Sequence, residues 1–102
     1  MKESTTRYLI QEHRMLAELE ERIERVKQEK VNYIKSLEKR FRKGCSIKEA
    51  QLRVKDHLER FPNGTESKKI NTLENTLRHI IKQVTNKRKN IENVIERGKE
   101  DS

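Results

Sequence analysis

The sequence predicts an all-α protein of three helices, long, short and long, with a coiled-coil-like apolar pattern. Three observations lead there. Charged residues make up 41% of the 102 residues and aromatics 4%, with one proline and no tryptophan. That composition suits solvated helices and argues against a sandwich or barrel, which needs β-branched and aromatic runs broken by frequent turns. Apolar residues recur at three- and four-residue spacing, the helical period. Only two places interrupt that rhythm, Gly44-Cys45-Ser46 and Pro62-Asn63-Gly64. High charge alone would also fit a disordered chain, but disordered segments do not require periodic apolar positions.

The first helix is expected over residues 5–43. Its stripe is Leu9, Leu16, Leu19, Ile23, Val26, Tyr33, Ile34, Leu37 and Phe41. Up to Tyr33 the residues keep a heptad, with Leu9, Leu16, Ile23 and Lys30 at one core position and Leu19, Val26 and Tyr33 at the other. The stripe then shifts to Ile34, Leu37 and Phe41, a four-residue stutter that locally unwinds a supercoil. At 1.5 Å per residue this helix is about 58 Å long, far longer than the short second helix can cover.

Gly44 is suited to end the first helix, because it tolerates a left-handed backbone. Ser46 with Glu49 reads as a capping box for the second helix, expected over 47–61. Ile47, Ala50, Val54, Leu58 and Phe61 form its stripe, and Leu52 lies off it. Pro62-Asn63-Gly64 is a stop and turn signal. Thr65 or Ser67 is expected to cap the third helix, over 66–97, with Gly98 opening a polar tail to residue 102. Here Ile70, Leu77, Val84 and Ile91 share one heptad position, and Leu73, Ile80, Lys87 and Val94 the other. Ile81 and Ile95 widen the seam beyond that of a two-stranded zipper, which favours a bundle. The expected core is Leu16, Leu19, Ile23, Val26, Leu37, Phe41, Val54, Leu58, Phe61, Ile70, Leu73, Leu77, Ile80, Val84 and Ile91. Lys30 and Lys87 fall in core slots, so replacing Lys87 by Leu is expected to raise stability.

A single domain spanning 1–102 is expected. Its core is thin, since ordering costs roughly 1.5 kcal/mol per residue and burial in so small a monomer only about cancels this. A homodimer completing the bundle is therefore the default expectation. Without an apolar run of ~18 residues or a charged-then-apolar leader, the sequence points to a cytoplasmic protein with no membrane partner. Cys45 is the sole cysteine, so no intrachain disulfide can form.

Nothing in the chain has the pattern of an enzyme, a small-molecule substrate site or a cofactor site. His13, His57 and His79 are scattered one to a helix, without a second ligand at metal spacing. Cys45 has no nearby His, and no Gly-rich phosphate loop exists. No catalytic, metal-binding or cofactor-binding residue is therefore assigned.

Net charge is +8 and uneven: residues 1–30 balance at zero, 31–61 carry +5 and 62–102 carry +3. One basic cluster is Lys35, Lys39, Arg40, Arg42, Lys43 and Lys48, and a second is Arg78, Lys82, Lys87, Arg88 and Lys89. Such clusters suit a polyanion or an acidic protein surface. The pattern lacks zinc-finger spacing, an RNA-binding aromatic pair and a basic region running into a zipper. The leading expectation is accordingly a small basic protein-interaction module, a regulator, inhibitor or adaptor, with nucleic-acid binding through the two clusters as the alternative. The Lys, Asn, Ile and Glu richness resembles that of small phage and mobile-element proteins.

Overall fold

The computed structural model describes residues 3–100, with side chains from 3 to 98. The chain forms α1 (Glu3–Phe41), α2 (Ile47–Arg60) and α3 (Thr65–Glu100), and no strand occurs among the described residues. The protein is all-α, with three helices in the expected order. No helix is long and apolar enough to cross a membrane among those residues.

Each break has a local cause. Gly44 takes φ +70° just beyond α1, a conformation that costs a side-chain-bearing residue roughly 1–2 kcal/mol. Ser46 then caps α2, its Oγ accepting from the backbone N–H of Glu49 at 3.2 Å. At the second break the Gly64 N–H donates to the Phe61 carbonyl at 3.0 Å, and the Gly64 carbonyl accepts from Lys68 at 2.9 Å. Gly64 thus stands at the cap position expected of Thr65 or Ser67. Thr65 is already helical, and the Ser67 hydroxyl turns to the Leu58 carbonyl instead. Gly98 does not end α3, which continues to Glu100. A helical Gly costs only about 1 kcal/mol relative to Ala, and good helix formers surround this one. Residues 101–102 of the expected tail lie outside the described residues.

The chain divides into two compact units, each drawing on both long helices. Unit 1 is Met1–Glu24 with Arg78–Ser102, and unit 2 is Arg25–Leu77.

In unit 2 the end of α1, all of α2 and the start of α3 converge. Leu37, Val54 and Ile70, one from each helix, form its buried centre, with Tyr33, Ile34, Phe41 and Leu58 packed around them. Ion pairs Lys30–Glu74 and Arg40–Glu66, each 3.0 Å, lie between α1 and α3. They advance in opposite directions along the two helices, so these run antiparallel here. Val26 and Ala50 are also buried, and Leu73 and Leu77 are half-buried.

Two residues expected on the apolar stripe of α2 lie outside the core. Phe61 is 54% exposed. It follows the last helical residue with φ −123° and ψ 64°, which swings it off the stripe, and its ring rests on His57 at 5.0 Å. Ile47, the first residue of α2, is also exposed.

In unit 1 the start of α1 meets the end of α3. Ile80, Val84 and Ile91 are buried, whereas Leu16, Leu19 and Ile23 reach only half-burial. Glu12 is buried as well, and its Oε2 accepts from Lys87 Nζ at 2.8 Å. The Lys87 side chain keeps 23% of its surface exposed. This pair overturns the expectation for Lys87. The lysine does occupy its core slot, but it neutralises a buried carboxylate, so a Leu there would strand Glu12.

Candidate nucleic-acid interface

Charge is distributed unequally between the units. Unit 2 holds 14 basic and 7 acidic residues, a balance of +7, while unit 1 holds 11 and 10, a balance of +1. Nearly all the excess positive charge of the protein therefore belongs to the unit that contains the first elbow.

The first basic cluster lies wholly in unit 2, and all six of its residues are exposed. Leu37 and Phe41 point into the core, so Lys35 and Lys39, two residues before each, fall on the outer face of α1. Arg42 and Lys43 follow in the turn, and Lys48 opens α2. Among the described residues Lys35, Lys39, Arg42, Lys43 and Lys48 have no ion-pair partner. Arg40 is different, since its guanidinium is held by Glu66. Cations at the end of α1 favour the helix dipole, but Lys48 at the start of α2 opposes it. Local helix stability does not account for Lys48.

The second cluster lies in unit 1 and is partly cancelled. Lys87 is committed to Glu12, and Arg88 donates to Glu20 at 2.9 Å. Arg78, Lys82 and Lys89 remain exposed without ion-pair partners among the described residues.

Arg53 fixes the elbow, and sequence reasoning passed over it. It donates to the Phe41 and Lys43 carbonyls at 3.3 and 3.4 Å. These lie at the end of α1, where helical carbonyls lack partners. The Cys45 N–H closes the same turn on the Arg42 carbonyl. The basic turn is thus tied to α2 through its backbone, leaving the Lys43 and Arg42 side chains outward. The available signal was weak: an arginine on a side of α2 that is neither apolar nor fully outward.

His57 stands behind this turn, between the rings of Phe41 and Phe61, each 5.0 Å away. Its Nε2 lies 3.5 Å from Glu66, the residue that holds Arg40. Hydrogen bonding from its own backbone N–H holds the Glu66 carboxyl below its ordinary value, and His57 and Arg40 add to this against an opposing effect of partial burial.

No group of three His, Cys, Asp or Glu that could hold a metal ion occurs among the described residues. What the elbow offers is an array of exposed cations without ion-pair partners among the described residues, on a turn whose backbone carbonyls accept from Arg53.

Fold and surface together define a basic all-α protein with its charge gathered at one helical elbow. Residues 38–71, from the last turn of α1 through α2 into α3, match the family model described as the TraY domain. The match covers about a third of the chain and falls wholly within unit 2. No curated protein and no solved structure gives a significant match.

Proposed function

We propose that this chain is a DNA-binding protein of a conjugative or other mobile element, holding the phosphate backbone with the elbow of unit 2. The observation that carries the reading is a coincidence of two features. TraY-domain proteins are DNA-binding proteins of plasmid conjugation, and the matched stretch contains five of the six residues of the first basic cluster. The sequence alone had favoured a protein partner. The match to a DNA-binding family and the +7 balance of unit 2 support the nucleic-acid alternative over it. The reading does not involve catalysis, and a DNA partner fits the cytoplasmic setting expected from the sequence.

Lys35, Lys39, Arg42, Lys43 and Lys48 are the phosphate contacts in this reading. Arg40 would join them only by leaving Glu66, so it contributes less. The test is a titration of labelled duplex DNA at several salt concentrations. Affinity should fall steeply with salt, at about −0.9 in log–log slope for each phosphate neutralised. Replacing Lys39, Arg42 and Lys43 with Gln should flatten the slope by about 2–3 and weaken all sequences alike. Changing Arg78, Lys82 and Lys89 together should matter much less. Failure of the wild type to bind below ~10⁻⁴ M at low salt, weaker than ordinary non-specific contact, would refute the proposal.

A further inference from the structure

The outward side of α2 carries a pattern that the stability of the helix does not use. Lys48, Gln51, Leu52 and Lys55 recur at i, i+3, i+4 and i+7, so they share one face over two turns. All four are exposed. The core side of α2 is set by Ala50 and Val54, 1% and 4% exposed. Ala50 lies about 160° around the helix from Lys48, and Val54 about 160° from Leu52. Leu52, at 66%, has the highest exposure of the large apolar side chains among the described residues. Neither Lys48 nor Lys55 has an ion-pair partner among those residues, and the Gln51 side chain makes no hydrogen bond there.

The acids of α2 flank this face or end it. Glu49 is turned about 100° from Lys48. Asp56, a turn beyond Leu52, is held by Arg60 at 3.1 Å. Glu59, a turn beyond Lys55, closes the face with a charge that repels phosphates. Two turns remain, presenting two cations around an amide and an apolar side chain. The exposed Arg42 and Lys43 stand in the turn that leads into this end of α2, where the helix dipole is positive. Such a surface fits a duplex major groove, which is about 12 Å wide and admits one α-helix. There a carboxamide pairs with adenine N6 and N7, an apolar side chain meets the thymine methyl, and a lysine reaches guanine O6 and N7.

We propose that α2 is the base-reading element of this protein, entering the major groove of duplex DNA with its first two turns. Lys48 stays with the phosphates at the edge of the groove. Gln51 reads adenine, Leu52 packs on a thymine methyl and Lys55 reads guanine. The inference rests on the DNA-binding reading of the elbow and adds what the elbow lacks. Phosphate contacts position a protein on the duplex, whereas base contacts select a sequence. Solubility accounts for the two lysines of this face; it gives no reason for a leucine set between them.

Selection of the full chain against a pool of randomised short duplexes tests it. The wild type should enrich one sequence and prefer it to a shuffled duplex of the same composition. Gln51→Ala and Leu52→Gln should each reduce that preference by about fivefold or more. Their binding to the shuffled duplex, its salt dependence and the melting midpoint should stay close to the wild type, because both side chains are exposed. Gln51→Arg put through the same selection should exchange one adenine for guanine, a change that a structural role for Gln51 would not produce. Lys39, Arg42 and Lys43 changed to Gln should instead weaken binding to the two duplexes alike and leave the preference intact. A wild type that binds duplex DNA but enriches no sequence overturns the inference and leaves the DNA-binding reading standing. So does a preference that survives Gln51→Ala, Leu52→Gln and Lys55→Ala together. A wild type that binds no duplex at all overturns both, and the face of α2 then belongs to a protein partner.

Discussion

Glu12 and Lys87 show how a charged residue comes to occupy a core position. Glu12 shares its heptad position with Leu19, Val26 and Tyr33, and Lys87 shares its position with Leu73, Ile80 and Val94. Each alone interrupts a seam; together, at 2.8 Å, they satisfy one another. Removing one partner of a buried pair costs more than removing both, because the remaining charge loses its compensation. Lys87→Leu should therefore destabilise by about 1–3 kcal/mol, less than for a fully buried pair because the lysine is partly solvated. Glu12→Leu combined with Lys87→Leu should recover most of that loss. Urea midpoints of the two variants check this, and a single Lys87→Leu more stable than the wild type would contradict it.

Glu66 joins three elements through its carboxylate. Its folded value is lowered from an ordinary value near 4.5, so the unfolded chain binds a proton there more readily. The associated stability is present above the unfolded value and lost as pH falls through the folded one. Glu66→Gln should thus lose less stability than the wild type between pH 6 and pH 3, while being less stable near neutrality. Parallel losses in the two proteins would show that the carboxylate contributes nothing to folding. Freed from Glu66, Arg40 should also add to any phosphate binding, steepening its salt dependence.

At the scale of elements, α2 depends on its ends. It has 14 residues, near the length at which an isolated helix is marginal. Ser46→Ala removes the hydroxyl that accepts from Glu49 and should cost about 1 kcal/mol. Gly44→Ala should cost roughly 1–2 kcal/mol for a different reason, since nothing crowds its Cβ position and only the positive φ opposes a side chain. Arg53→Ala should cost about 1 kcal/mol and loosen the elbow itself, because the carbonyls of Phe41 and Lys43 lose a charged donor. Amide exchange in residues 42–46 should quicken in Arg53→Ala more than in Ser46→Ala. Equal protection in both would remove Arg53 from its proposed part in holding the basic turn.

The whole molecule separates apolar and electrostatic tasks. Leu37, 1% exposed, ties α1 to α2 and α3 in unit 2. Leu37→Ala should cost about 2–5 kcal/mol, read as a lowered melting midpoint, and should weaken DNA binding only as far as unit 2 unfolds. Lys39, Arg42 and Lys43 should behave in the opposite way when changed to Gln: binding falls with the melting curve little changed. If the two sets of variants gave the same pattern, the elbow would be a structural feature and not a binding one.

What the sequence determined by itself is the set of helices. Periodicity placed all three to within a few residues, and Gly44, Ser46 and Pro62-Asn63-Gly64 marked the breaks, because helix formation and capping depend on neighbours within a turn or two. The first basic cluster was legible for the same reason: its members are close along the chain and fall outside the apolar stripe. Tertiary structure decided which charges remain available. Arg40 meets Glu66 across 26 residues, Arg88 meets Glu20 across 68, and Lys87 meets Glu12 across 75. It also turned Phe61 out of the core and brought Arg53 to the end of α1. Such contacts depend on how helices face one another, a relation that no local spacing encodes. They leave the charge excess in unit 2.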